Sequence, residues 1–330
     1  MSTTPSASAV NPSGPSRLVI GAGVVGQALA RDLVAQGDHV LLASRSGTNI
    51  PGATAVAVDA SDAAALTQAA QKVDTIFLAS GPREYSKWAT LWPPVFEAVI
   101  VAAKASGADL VMLGNLYAYG EGSVMPLTEH SPLRATDSKG AVRKAGWQQA
   151  LDANNQGEIR AVEVRASDYF GPGAGATSQL GPDFFNPLIE GKTARVFGRV
   201  DQPHSWAYIP DITETLIAAA DFNGEWGHAW HVPCAEPLTR KQLAARVGEL
   251  TGTDADVAPW PTWMLRAMGV FKPDVKAANE LLSQFTAPFT SDAGDTENLL
   301  GVSATPWDQS LPATVRYYQR ELFTSTASSR

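Results

Sequence analysis

The stretch Gly21-Ala22-Gly23-Val24-Val25-Gly26 is a G-x-G-x-x-G turn, and its flanks decide how it folds. The apolar strand Arg17-Leu18-Val19-Ile20 precedes it, and a predicted helix from Gln27 follows it and stops at Gly37. In this setting the first glycine permits the tight turn, the second lets the backbone approach a pyrophosphate, and the third lets the helix pack on the strand. The helix N-terminus offers free N–H groups to the phosphates. The stretch therefore predicts a dinucleotide site.

Strand and helix patterns alternate through the first half of the chain. Such alternation predicts an α/β fold, with a Rossmann-type doubly wound parallel sheet whose ligands lie beyond the carboxyl ends of the strands. The predicted strands are 17–20, 39–43, 53–58, 75–79, 110–113 and 159–165, and the predicted helices between them include 61–71, 92–106 and 140–154.

After Phe170 the pattern changes, because a loop rich in Gly and Pro follows and strand–helix alternation stops. Three helices are predicted beyond it, at 211–220, 238–250 and 261–268. We predict a disordered leader over 1–16, a dinucleotide-binding Rossmann domain over 17–170 to which 204–221 returns, and a smaller C-terminal substrate-binding domain over 171–330.

Composition excludes several classes of protein. The 330 residues carry a net charge of −8 without a basic stripe, which argues against a nucleic-acid partner. No apolar run is long enough to cross a membrane, and the first sixteen residues lack the basic start and apolar core of a secretory signal. Cys234 is the single cysteine, and the five histidines have no metal-ligand spacing. We therefore expect a soluble cytoplasmic protein without a metal.

The residues after the second strand indicate which dinucleotide is bound. NAD sites tend to place a carboxylate there for the ribose hydroxyls, whereas NADP sites place an arginine for the 2′-phosphate. Here the strand ends in Ser44-Arg45-Ser46, without a carboxylate, which favours NADP(H). Asp59, followed by Ala60, is placed either to meet the adenine amino group or to cap the next helix. The ends of the fourth and sixth strands complete the predicted cofactor site with Ala79, Ser80, Gly81, Ala166 and Ser167.

Several motifs, in their order and spacing, resemble one family from Leu18 to about Gly252. Residues 115–120, Asn-Leu-Tyr-Ala-Tyr-Gly, resemble the S-x-x-V-Y-G stretch after the fifth strand of the extended short-chain dehydrogenases/reductases, the NAD-dependent epimerase/dehydratase family. Residues 126–133 resemble its P-x-x-E-x-x-P loop, and 164–173 are similar to its L-R-x-x-N-x-Y-G-P-G segment beside nicotinamide and substrate. Residues 207–211 resemble its x-Y-V-x-D segment.

The resemblance implies a chemistry that this chain carries only in part. In the family, a Tyr-x-x-x-Lys pair and a Ser or Thr move a proton at the substrate oxygen while the nicotinamide exchanges a hydride. Alignment assigns Lys144 to the lysine position, which leaves Gly140 at the tyrosine position. Asn115 occupies the Ser/Thr position. The usual acid and its helper are therefore both replaced.

Three hypotheses follow from these replacements. Tyr117 or His204 supplies the proton, with Lys144 on the cofactor ribose and Asn115 at the substrate oxygen. Alternatively, the protein binds NADPH without turnover, as a sensor or partner-binding protein. The third alternative, an epimerase or dehydratase of a nucleotide sugar, is weakened by the missing groups and by His204 near a position where many relatives grip phosphate with arginine.

We predict an NADP(H)-dependent oxidoreductase that acts on a small carbonyl or conjugated substrate. Aromatic side chains after the fourth strand and beside His204 suit such a molecule better than a sugar nucleotide. The oligomeric state stays open, with a homodimer as one option. The predicted substrate-contacting residues are Tyr85, Trp88, Asp168, His204 and Trp206.

Overall fold

The computed structural model describes residues 14–82, 84–261 and 279–328, and its first half forms a parallel sheet. The strands are β1 (Ser16–Ile20), β2 (His39–Ser44), β3 (Thr54–Ala57), β4 (Thr75–Leu78), β5 (Asp109–Asn115), β6 (Ala161–Ala166), β7 (Tyr169–Phe170), β8 (Thr193–Val196), β9 (Ala207–Tyr208), β10 (Ala229–His231) and β11 (Asp256–Pro259). The helices are α1 (Val24–Gln36), α2 (Ala63–Ala69), α3 (Trp88–Ser106), α4 (Ser138–Asn155), α5 (Pro182–Ile189), α6 (Ile209–Ala220), α7 (Arg240–Thr251) and α8 (Trp307–Ser328).

The large sheet has the strand order β3-β2-β1-β4-β5-β6-β10, and all its neighbours are parallel. The order reverses between β1 and β4, where an open sheet of this type leaves a crevice for ligands. Helices α1 and α6 cover one face, and α2, α3 and α4 cover the other. The predicted Rossmann-type fold is confirmed.

The second part of the chain packs around its own apolar cluster. Phe184 and Phe185 of α5 meet Leu243 of α7 and Trp307 of α8 there, beside the two-stranded sheet β8–β11. The chain returns to the large sheet with α6 and again with β10, which pairs with β6. The returning segment therefore extends to His231, beyond the predicted limit of 221.

Local chemistry explains most element boundaries, and the starts of two helices differ most from prediction. Helix α1 begins at Val24 and α3 at Trp88, so each starts three or four residues before the predicted position. Asp62, one of the two predicted caps, accepts a hydrogen bond from the backbone N–H of Ala65 and starts α2. The helix predicted over 261–268 and the leader lie almost entirely outside the described residues. None of the described helices is long and apolar enough to span a membrane.

Candidate functional site

A cavity of about 950 Å³ opens at the carboxyl ends of β1, β4, β5 and β6. Its volume falls in the range of small-molecule and cofactor sites. The start of α1 lines one end, and residues 79–82 follow along the sheet edge. Residues 113–117 and 166–169 line the other part, together with the loop 172–178. The cavity therefore lies where the topology predicts a ligand.

The glycine-rich turn brings the N-terminus of α1 to the cavity. Gly21 has a φ of 112° and donates its N–H to the Ala43 carbonyl, 2.8 Å away. A Cβ on Gly26 would lie 1.9 Å from the Gly21 carbonyl oxygen, so only glycine permits this approach of helix to turn. Gly23, Val24 and Val25 line the cavity, whereas Gly21 and Gly26 shape the turn behind it. This arrangement suits a pyrophosphate.

The residues predicted to select the dinucleotide lie outside the cavity lining. Arg45 and Ser46 are exposed after β2, and the Ser44 hydroxyl accepts a hydrogen bond from the Thr48 backbone N–H at 2.9 Å. Asp59 is also exposed and accepts hydrogen bonds from the Ser61 N–H and hydroxyl. Those bonds, with the nearby Arg45 charge, lower the pKa of Asp59. Ala60 packs against the apolar core.

The predicted residues at the ends of β4 and β6 are brought together. Ala79, Ser80 and Gly81 line the cavity, as do Ala166 and Ser167. The Ser167 hydroxyl donates its hydrogen to the Ser205 carbonyl at 2.7 Å, so this hydrogen holds the loop and is not available to a ligand.

Tyr117 and Asn115 both line the cavity, at the point where β5 turns into a short 3₁₀ helix (Leu116–Tyr119). The Asn115 carbonyl Oδ1 accepts the Tyr117 backbone N–H at 3.1 Å and caps this turn. Tyr85, Trp88 and Tyr117 form a continuous aromatic wall, with successive ring centroids 4.6 and 6.1 Å apart. Burial raises the pKa of Tyr117 well above 10, and Tyr85 and Asp168 raise it further. Tyr117 therefore holds its proton at neutral pH.

The structure does not bring Lys144 to the cavity, contrary to its predicted place on the cofactor ribose. Its side chain is exposed on α4, whereas the adjacent Arg143 is buried and lines the cavity. Arg143 Nη2 donates to the Leu113 carbonyl at 2.6 Å, and the guanidinium lies 4.5 Å from the Trp92 ring centroid. Among the described residues, Arg143 Nε has no hydrogen-bond partner. The cation that α4 brings to the cavity is therefore a guanidinium.

Gly140 is not an emptied tyrosine position, because no space is left beside it. A Cβ there would lie 2.3 Å from the Ala135 Cβ and 2.4 Å from the Tyr117 carbonyl oxygen. The missing side chain lets α4 approach the turn that carries Tyr117. The buried face of α4 instead includes Lys139 and Arg143, one helical turn apart. The same helix face also buries Trp147 and Ala150, which are four and seven residues after Arg143. This helical spacing is the sequence signal that Arg143, rather than Lys144, faces the interior.

Asp168 lines the cavity, but His204 and Trp206 lie behind it. His204 Nε2 is 3.0 Å from Asp168 Oδ2, and the His204 ring is enclosed by Trp206, Phe285 and Phe289. Trp206 is buried and donates its Nε1–H to the Leu238 carbonyl. The prediction that these two residues contact substrate directly is therefore wrong. His204 is linked to the cavity through its contact with Asp168.

A buried polar network that sequence analysis missed lies under the site. Glu163 accepts Arg165 Nε at 2.7 Å, and its other oxygen lies 3.7 Å from Arg143 Nη2. Arg165 Nη1 donates to the Tyr119 hydroxyl at 2.8 Å, which lies 2.5 Å from His231 Nε2. Burial lowers the pKa of His231 to about 4, so this histidine is neutral. No short motif marks the network, because its members come from β6, β10, α4 and the turn after β5.

Comparison with known proteins places the chain in a family. The sequence model of the NAD dependent epimerase/dehydratase family matches residues 17–232. The chain therefore belongs to the NAD-dependent epimerase/dehydratase family, as its motifs predict. A search of curated proteins finds no significant match.

Solved structures of similar fold include three epimerases or dehydratases. A UDP-glucose 4-epimerase from Thermotoga maritima, with UDP-glucose, is 16% identical, with 93% of this chain and 99% of that chain covered and a TM-score of 0.75. An epimerase from Methanothermobacter thermautotrophicus is 19% identical, with 97% and 96% covered and a TM-score of 0.79. A dTDP-glucose 4,6-dehydratase double mutant from Streptomyces venezuelae, with NAD, is 19% identical, with 92% and 96% covered and a TM-score of 0.73. At these identities the likeness establishes the fold.

Replacing Gly140 tests the close packing of α4. Gly140→Ala is expected to lower the free energy of unfolding by about 1–3 kcal/mol, because the added methyl group overpacks the contact with the Tyr117 carbonyl. Urea denaturation measures this change. Gly175→Ala is the control, since a Cβ at Gly175 meets nothing within 4 Å. Equal stability of the two variants would contradict the packing argument.

Arg143 and Lys144 are neighbouring cations on α4, so the same substitution at each position separates a buried cation from an exposed one. Arg143→Gln is expected to weaken dinucleotide binding at least about tenfold, by analogy with loss of a hydrogen bond to a charged group. Lys144→Gln is expected to bind as the wild type does, because its side chain faces solvent. Titration of both variants by tryptophan fluorescence measures the difference. The reverse order of effects would restore Lys144 to the site.

Proposed function

We propose that this protein binds a nicotinamide dinucleotide in the cavity and catalyses hydride transfer to or from a small molecule. One observation carries the proposal: the glycine-rich turn points the N-terminus of α1 into a cavity whose other end holds Tyr117, Asn115 and Arg143. Anion-binding backbone groups and oxygen-binding side chains thus share one cavity. Membership of the NAD-dependent epimerase/dehydratase family supports the same chemistry.

The residues present fit a dinucleotide. The N–H groups at Gly23, Val24 and Val25 would hold the pyrophosphate, and residues 79–81 and 166–167 would enclose the nicotinamide half. Arg143, in place of the proposed Lys144, would face the nicotinamide ribose or the substrate oxygen. When bound, the dinucleotide supplies or accepts the hydride.

The side chains at the reacting end would handle the substrate oxygen. Tyr117 is a protonated phenol with a raised pKa, so when hydride moves to the substrate it would donate a hydrogen bond and a proton to the substrate oxygen. The guanidinium of Arg143 stays charged at neutral pH and would stabilise negative charge that develops on the substrate oxygen. Asn115 Oδ1 is engaged by the Tyr117 N–H, which leaves its amide NH₂ for the same oxygen.

Two substrate classes are favoured by different observations. The solved neighbours hold nucleotide sugars, among them UDP-glucose and UDP-glucuronic acid, which favours epimerase or dehydratase chemistry on such a molecule. The aromatic wall of Tyr85, Trp88 and Tyr117 favours a small carbonyl or conjugated compound instead. Hydride transfer is common to both.

NADP(H) is the dinucleotide we propose, because Arg45 follows β2 and no carboxylate stands beside it in 44–46 to repel a 2′-phosphate. NADPH is then expected to bind about ten- to a hundredfold more tightly than NADH. Arg45→Ala should abolish this preference, whereas Arg195→Ala, at an exposed arginine on β8, should leave it intact. Fluorescence titration of both cofactors measures it. Solved neighbours bind NAD, so equal affinity for the two cofactors would refute NADP selection alone.

Tyr117→Phe separates an enzyme from a silent dinucleotide-binding protein. With a substrate found among nucleotide sugars, carbonyls and conjugated carbonyls, turnover is expected to fall by about 10²–10⁴ because the donor is lost. Dinucleotide affinity is expected to stay unchanged. The absorbance of the reduced nicotinamide follows turnover. No hydride transfer across the panel, with tight dinucleotide binding, would favour the sensor function. An unchanged rate in Tyr117→Phe would exclude Tyr117 as the donor.

A further inference from the structure

The cavity holds a carboxylate that the proposed hydride transfer leaves without a role. Asp168 is the sole acidic side chain among the described residues that line it. Its Oδ2 is occupied by His204 Nε2 at 3.0 Å, and its side chain keeps 14% of its surface exposed. No described residue hydrogen-bonds to Oδ1. One carboxylate oxygen is thus held in place from behind while the other remains for a ligand.

The surroundings of Asp168 are aromatic π-faces. Asp168, Tyr85 and Tyr117 line the same cavity. Burial is the main cause of the raised pKa of each phenol, and the negative charge of Asp168 raises both further. Tyr85 and Trp88 stack with centroids 4.6 Å apart, and Phe289 lines the same cavity. A carboxylate beside tyrosine and tryptophan rings is a favourable environment for an organic cation.

The cations near Asp168 are engaged elsewhere. Arg240 lies behind the aromatic layer, over the Phe285 ring at 4.7 Å, and its Nη1 donates to the carbonyls of Phe197 and Arg199. Arg143 donates to the Leu113 carbonyl and has Glu163 behind it. Neither forms an ion pair with Asp168 within the described part of the chain.

In the family segment that residues 164–173 resemble, a neutral asparagine stands at the position of Asp168, so the carboxylate is a charge that this chain adds to the cavity. We propose that the substrate carries a protonated amine or another organic cation, which binds between Asp168 Oδ1 and the wall of Tyr85, Trp88 and Tyr117. This inference rests on the proposed function, because it names the substrate of that same cavity. The proposed cation site would accept the amine of an amino-substituted nucleotide sugar as well as a small cationic carbonyl compound.

A matched pair of probes tests the charge requirement without knowledge of the substrate. Choline and 3,3-dimethyl-1-butanol have the same shape and differ in charge. Calorimetric titration into the full chain, with and without saturating NADPH, is expected to show at least about tenfold tighter binding of choline. Asp168→Asn should abolish that preference because it removes the charge and keeps the shape. Asp254→Asn, at an exposed aspartate away from the cavity, should preserve it.

Trp88→Phe provides a second variant in case Asp168→Asn fails to fold. A phenyl ring attracts a cation less than an indole, so choline affinity should fall severalfold while 3,3-dimethyl-1-butanol binding stays the same. Equal affinity of the two probes for the wild type would overturn the inference, as would an undiminished preference in both variants. The NADPH titration is scored separately. Failure of both NADPH and NADH to bind refutes the proposed function, whereas equal probe affinities with tight dinucleotide binding refute only the cationic substrate.

Discussion

The contact between Gly26 and the Gly21 carbonyl is the constraint on which the site depends. It sets the distance between α1 and the end of β1. A side chain at Gly26 would push the helix away from the strand, and the N–H groups at residues 23–25 would no longer face the cavity. Because β4 lies beside β1, this displacement would also change the space in front of Ala79 and Ser80. The dinucleotide end of the cavity is therefore fixed by backbone packing, before any side chain contributes.

A second close approach, between α4 and the turn after β5, shapes the reacting end. At this contact the chain has a glycine, Gly140, on the helix and a tyrosine, Tyr117, on the turn. The phenol thus reaches the cavity from β5, and the cation reaches it from α4. The protonation of Tyr117 differs from that of the tyrosine in a Tyr–Lys pair. Burial is the largest cause of its raised pKa and keeps the proton on the phenol. Negative charge on the substrate oxygen would then be stabilised by the hydrogen-bond donor Tyr117 and by the fixed cation Arg143.

The fold could be predicted from sequence because its determinants are local. Strand and helix periodicity, the glycine turn and caps such as Asp62 each act within a few residues. Residues that line the cavity could be predicted best where they lie close after a strand, as Ala79 and Asp168 do. Lys144 was misplaced because one residue along a helix rotates a side chain by about 100°. His204 and Glu163 depend on contacts between distant segments, which no local pattern records.

The network beneath the cavity has an evolutionary consequence. Glu163 faces two guanidiniums, and its loss would leave both charges buried without a counterion. Loss of Arg165 would similarly disturb Glu163 and the hydroxyl of Tyr119. Single substitutions among these residues are costly, whereas a joint replacement by apolar groups of similar volume is tolerable. Among relatives of this chain, positions 119, 143, 163, 165 and 231 should therefore covary as one set and mark a lineage in which the cavity is built this way.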